Sequence, residues 1–235
     1  MPLWITGVPA ADELLNHNGL ALLIGMLLDQ QVPMEWAFKG PYTLSERLGG
    51  LDAAAIATEP VQPLLENACA KPAIHRFPAS MAHRIHELCA VVATTYGNDA
   101  ASIWLGVGDG AVVFARLRAL PGFGEEKAQI FLAMLAKRFD VRPDGWEACV
   151  GAFADDVPRT IADIDSPEAL VIVREYKRRQ KAAELDKQDR PVKPPKPKVK
   201  PVRNPPPKTK AQSAKAKSTK QKGRPRPNAA KERSS

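Results

Sequence analysis

Residues 119–128, ALPGFGEEKA, set Pro121, Gly122 and Gly124 between two apolar segments. One glycine after a helix is enough to end it. Two glycines around a single phenylalanine predict a backbone that turns sharply and leaves room for a close neighbour. Residues 110–117 and 125–138 read as the flanking helices, so the unit is helix, tight hairpin, helix.

The remaining chain reads as helical too, and the fold class expected is all-α. Ile85, Leu88, Cys89, Val92 and Tyr96 recur at the 3.6-residue period behind Ser80, the expected N-cap. Residues 20–28 are apolar throughout and predict a central buried helix. At nine residues this run is far short of the ~20 that a bilayer span requires. Pro33 is expected to open a short helix, Asp52 to cap one over 53–57, and 61–68 to form another. Ser166-Pro167-Glu168 starts a last helix that carries Tyr176. No alternating strand set and no internal repeat is present.

Charge divides the chain sharply. The net charge is +8, yet residues 191–235 hold 15 Lys/Arg and one acid, a net +14. The rest holds 19 basic and 25 acidic residues, a net −6. A helical domain over 1–186 and a Lys/Pro-rich tail over 187–235 are therefore expected. The tail has ten prolines from Pro191 on and no aromatic residue. Such a segment cannot bury enough apolar area to offset its ordering entropy, so disorder is expected. Its cations are expected to be drawn to a polyanion by counterion release; the plainer alternative is a solubilising tail that binds nothing in particular.

Several function classes find no support. Cys69, Cys89 and Cys149 are scattered and suggest neither a disulfide framework nor a zinc site. His83 and His86, with His75 nearby, lack a fourth ligand and read as solvent- or phosphate-facing. GVGDG at 106–110 follows no strand, so nucleotide binding is not expected. Trp36 and Trp104 read as core residues. No cofactor and no metal are implied. The N-terminal residues lack a secretion signal, so a cytoplasmic protein, nucleoid-associated if bacterial, is expected, with no membrane partner.

In the hairpin, Gly122 and Gly124 expose amides at a helix start, where the partial positive charge suits a phosphate. Phe123 lies between them in the same DNA-facing turn, and Lys127 adds a point charge. Glu125 and Glu126 complement the helix dipole but repel phosphate. The plainer reading is a tight interhelical turn with no ligand.

LPGFGEEKA resembles the hairpin of the helix-hairpin-helix (HhH-GPD) DNA glycosylases, the superfamily of endonuclease III, adenine glycosylase and the alkyl-adenine glycosylases. LIGMLLDQQV at 23–32 is similar to that family's apolar helix ending in a Gln-containing loop. HRFPASMAHRIHELCAVVATTYG at 75–97 is similar to the helix preceding its hairpin domain. Asp144, 22 residues beyond Gly122 in RPDGWEACV, stands where the family carries an aspartate. The resemblance covers roughly residues 18–155.

It implies a two-lobed helical fold, a monomer acting on double-stranded DNA, and base excision repair. The reaction implied is monofunctional hydrolysis of the N-glycosidic bond of a damaged or mismatched base. Asp144 is then the catalytic carboxylate, Gln30 or Gln31 fills the gap or contacts a strand, and Trp146 lines a base pocket. Asp144-Gly145-Trp146-Glu147 also reads as a capping box for a helix entering 148–153. Three departures stand out. Glu126 occupies the place of the lyase lysine, and Lys127 comes one residue late, about 100° round the helix, so lyase chemistry is not expected. Gly145-Trp146 replaces the Thr-His of the endonuclease III branch. No ligands follow Cys149, so no iron–sulfur cluster is expected. The alternative is a non-catalytic helix-hairpin-helix DNA-binding protein.

Overall fold

Asn18 joins the first two helices, α1 (Pro9–His17) and α2 (Gly19–Leu28), by ending one and capping the other. Its backbone N–H donates to Leu14 O, while its side chain accepts from the Ala21 N–H at 2.9 Å. Every residue of α2 after Gly19 is buried, as an all-round apolar helix must be. The computed structural model describes residues 2–192. Eight further helices follow: α3 (Met34–Leu48), α4 (Ala53–Thr58), α5 (Val61–Cys69), α6 (Pro78–Thr95), α7 (Gly110–Arg118), α8 (Glu125–Arg138), α9 (Trp146–Val150) and α10 (Pro167–Ala182). Single 3-10 turns lie at Ala100–Ile103, Gly151–Ala154 and Ile161–Asp163. Among the described residues there is no strand, only isolated bridges between Asp109 and Asp144 and between Leu185 and Pro191. The fold is all-α.

The helices pack in two groups. Helices α3 to α6 form one, with α6 against α4 and α5; α7, α9 and two of the 3-10 turns gather round α8 in the other. Helix α2 packs on α3 and α6 and on the turn at Ala100–Ile103. Close approach of α2 and α3 depends on two glycines. A Cβ on Gly25 would lie 2.5 Å from Cδ1 of Phe38, and one on Gly40 would lie 2.4 Å from Cδ1 of Leu28.

Asp52 and Ser166 are the caps expected, accepting from the N–H groups of Ala55 and Ala169. Two expectations fail. Ser80 does not cap α6, which begins two residues earlier because Pro78 is pre-set for the first turn. The helix after Pro33 is long, running through Pro41 for 15 residues. Met34, Ala37, Phe38, Pro41 and Leu44 are all buried on one face. Their burial outweighs the ~3 kcal/mol that an internal proline costs. The body also continues beyond 186, since residues 187–192 form a turn bonded to it. Most of the expected tail, residues 193–235, lies outside the described residues.

Gly25→Ala should cost about 1–3 kcal/mol, because the fully buried Phe38 ring has nowhere to move. Urea denaturation is the check: the midpoint should fall with the slope unchanged. An unaltered midpoint would mean that the α2–α3 contact is loose.

Candidate nucleic-acid interface

Helix α7, the LPGFG turn and α8 form the expected hairpin, closed by the Phe123 N–H donating to Leu120 O at 3.1 Å. The close neighbour that Gly122 admits is the protein itself. Gly122 has φ +77°, and a Cβ there would lie 2.4 Å from Cδ1 of Leu27 on α2. Phe123 does not face DNA: its ring is buried, edge-on to Phe131 with centroids 5.9 Å apart. A phenyl ring between two backbone turns gains more from the core than from water. Gly124 is the open position, exposed and with nothing within 4 Å of where a Cβ would point. Among the described residues, no acceptor reaches the amides of Gly124, Glu125 or Glu126. Such free amides at the head of a 14-residue helix favour an anion.

Lys127 does not add its charge to that surface. Its Nζ turns inward and donates to Met26 O at 2.5 Å and Leu27 O at 3.0 Å. The last carbonyls of α2 have no partner within their own helix and carry the negative end of its dipole, so they draw in the nearest cation. Burial lowers the Lys127 pKa to about 8; Asp29 works against this, and Lys187 and Arg84 add to it. The exposed first turn of α8 is left with two acids, Glu125 and Glu126.

Gln30 is likewise committed to the same helix end. Its Nε2 donates to Leu27 O at 2.6 Å, its Oε1 accepts from Arg84 at 3.1 Å, and its backbone oxygen accepts from His75 Nε2 at 2.9 Å. To reach a duplex this side chain would first have to give up both of its hydrogen bonds. His75, expected to face solvent or phosphate, is buried between that carbonyl and the Phe77 N–H, which donates to its Nδ1 at 3.0 Å. Gln31 remains exposed, with φ +59°.

Asp144 is exposed and is not a helix cap. Gly145, at φ +73°, stands between it and α9 as the N-cap, and no side chain caps that helix. The Asp144 backbone instead pairs with the loop before α7: its N–H donates to Gly108 O at 2.7 Å, and its carbonyl accepts from Gly110 N–H at 2.8 Å. Among the described residues, no donor reaches its carboxylate. The side chain borders an open depression of about 460 Å³ with Trp104, Leu105, Val107 and Arg142. Trp146 does not line that depression; it is half-buried against the core. Asp144 is joined to the hairpin through its backbone, at Gly110 where α7 begins, while its carboxylate makes no hydrogen bond to the LPGFG turn or α8 among the described residues. The hairpin, Lys127 and Gln30 thus meet at the end of α2, while Asp144 borders a separate depression.

Sequence reasoning missed Asp29, Arg84, Lys177 and Lys187. Asp29 acts electrostatically on both Lys127 and Lys177, and Lys187 acts on the same two. Burial also holds the Lys177 ammonium below its ordinary range; its Nζ sits 3.4 Å from Sδ of Met34. No local pattern unites these residues, which come from four separate elements.

No family model matches the chain, and no curated protein matches it. Similar solved structures include endonuclease III–DNA complexes, a thermostable thymine-DNA glycosylase and an 8-oxoguanine DNA glycosylase. A trapped endonuclease III–DNA covalent intermediate shares 18% identity over 57% of this chain, with a TM-score of 0.38. This chain spans 57% of that one's length. A non-covalent endonuclease III–DNA complex shares 19% over 71% of this chain and 67% of its own, with a TM-score of 0.40. The 8-oxoguanine DNA glycosylase of Methanocaldococcus jannaschii shares 18% over 74% and 76%, with a TM-score of 0.35. None of these likenesses assigns a role to a residue of this chain.

An ammonium with a folded pKa of about 8, against an ordinary 10.5, penalises folding while both states hold the proton. The penalty is full below pH 8 and is relieved as pH rises towards 10.5. The stability of wild type relative to Lys127→Met, read by denaturant titration, should therefore increase across that window. A flat difference would mean that the amine is solvated.

Proposed function

We propose that this protein is a base excision repair DNA glycosylase that hydrolyses an N-glycosidic bond in duplex DNA without lyase chemistry. The observation that carries the reading is the hairpin. An open Gly124 and unpartnered amides stand at the head of α8, in a motif that resembles the glycosylase hairpin. Departure of a base builds positive charge on the sugar, which a nearby carboxylate stabilises while it orients water. Asp144 is the carboxylate proposed, exposed and free of hydrogen-bond donors among the described residues. The base must first leave the stack, and the exposed Gln31 is proposed to occupy the space it vacates. Absence of lyase chemistry is supported by Glu126 at the lysine's place and by Lys127, whose amine is held on the α2 carbonyls.

A second reading, a DNA-binding protein without excision, is favoured by one observation. The Asp144 carboxylate makes no hydrogen bond to the LPGFG turn or to α8 among the described residues, and meets the hairpin only through its backbone at Gly110.

Full-length protein incubated with a panel of lesion-bearing duplexes should generate abasic sites on at least one of them. On that lesion Asp144→Asn should reduce excision by roughly a hundredfold or more, the scale of one lost electrostatic transition-state contact. Duplex binding should persist in that variant. Wild-type excision rates in Asp144→Asn would remove this residue from the mechanism, and no excision on any lesion would favour the binding protein. Gly124→Val should weaken duplex binding without altering the fold, since nothing in the protein crowds that position. Gly122→Val is no test of DNA contact, because it collides with Leu27 first.

A further inference from the structure

Trp36, expected in the core, stands 41% exposed, and Phe77 stands 45% exposed. The buried face of α3 runs through Met34, Ala37, Phe38, Pro41 and Leu44, which leaves Trp36 and Lys39 on its outer side, one turn apart. Phe77 ends the loop before α6 and is the N-cap of that helix. One buried imidazole neighbours both rings: the His75 centroid is 6.5 Å from that of Trp36 and 6.0 Å from that of Phe77.

Neither ring is loosely held. Trp36 Nε1 donates to Ala73 O at 3.0 Å. The Phe77 N–H donates to His75 Nδ1, and the other nitrogen of that imidazole is tied to Gln30 O. Arg47 donates to the carbonyls of Asn67, Ala70 and Pro72, which fixes the start of the loop that carries Phe77. Exposed rings of this size forgo the burial that drives folding. Holding them in place lowers the entropy lost when a partner covers them.

Charge selects the partner. Residues 67–86 contain no acid and three cations, Lys71, Arg76 and Arg84. Residues 30–45 contain Lys39 and a single acid, Glu35, which is ion-paired to Arg174. The Arg76 guanidinium lies over the Phe77 ring, 5.2 Å from its centroid. In a body of net −6 over residues 1–190, these two segments are locally basic, with exposed aromatic rings set among the cations. An acidic protein segment would answer the cations but offers no run of flat apolar faces. A paired duplex has such faces, but keeps them inside its own stack. Unpaired nucleotides present both, phosphates for the cations and open base faces for the rings.

We propose that the Trp36–Phe77 surface binds single-stranded nucleic acid by stacking unpaired bases on its two rings, with Arg76, Lys39 and Lys71 meeting the phosphates. The inference goes beyond the hairpin reading and does not depend on it, since that reading concerns paired DNA.

Fluorescence anisotropy with the full chain tests it, using four labelled probes of equal length: oligothymidylate, oligouridylate, a base-free deoxyribose-phosphate strand and a duplex. Wild type should hold the tighter-bound of the two base-bearing single strands at least roughly tenfold more tightly than the base-free strand, because the protein's cations meet the same phosphates in both. Trp36→Leu and Phe77→Leu keep apolar bulk and net charge but remove the flat ring. Each should weaken binding of that single strand roughly tenfold, while affinity for the base-free strand and the duplex stays unchanged. Circular dichroism, with that unchanged duplex affinity, establishes folding. Tighter binding of oligothymidylate identifies the strand as DNA, and tighter binding of oligouridylate identifies it as RNA. Equal wild-type affinity for base-bearing and base-free strands overturns the proposal without recourse to any variant. Wild-type affinity of both folded variants for both single strands also overturns it. So does equal weakening on the base-free strand, because the rings would then support the cations rather than stack on bases.

Discussion

Two carbonyl oxygens at the end of α2 organise the part of the molecule proposed to meet DNA. An apolar helix buried on all sides delivers its negative pole into the protein, where water cannot neutralise it. Lys127 and Gln30 answer that demand, one from the hairpin helix and one from the loop that follows α2. The same contacts press the hairpin onto α2 closely enough that only a glycine fits opposite Leu27. Arg84 and His75 then hold Gln30, so α6 and the loop before it are fixed to the same point.

This arrangement has an electrostatic price. Spending Lys127 on the α2 carbonyls leaves the outer first turn of α8 with Glu125 and Glu126 and no cation of its own. The backbone amides there favour an anion while the side chains oppose it. Lys187, from the far end of the described chain, pairs with Glu126 and so offsets one of the two acids. In the reading proposed above, the hairpin sets register rather than strength. Phosphate contacts through backbone amides are suited to that, because they position a protein without carrying sequence information.

How much of this was legible in the sequence depended on whether the decisive interaction was local. The hairpin and both its helices, the buried α2, and the caps at Asp52 and Ser166 were readable, since each rests on neighbours within a few residues. The direction of Lys127 was not. Position in a first helical turn suggests a solvent-facing cation, and only the three-dimensional approach of α2, a hundred residues away in sequence, turns it inward. Phe123 and Gly122 misled for the same reason: the space between the glycines is filled by the protein's own Leu27 and Phe131. At Asp144 a local rule was overridden, because pairing with Gly108 and Gly110 moves the helix start one residue on, past Gly145. The ion pair of Arg159 with Asp189 had no sequence signal, as its members lie 30 residues apart.

The central claim is that DNA meets this protein at the head of α8. Backbone amide NMR during titration of a short duplex into the full chain tests it most directly. The account predicts that the amides of Gly124, Glu125 and Glu126 shift most, together with Gln31, while those lining the apolar groove between Leu48 and Leu64 stay still. Largest shifts around that groove, with an unmoved Gly124, would contradict it.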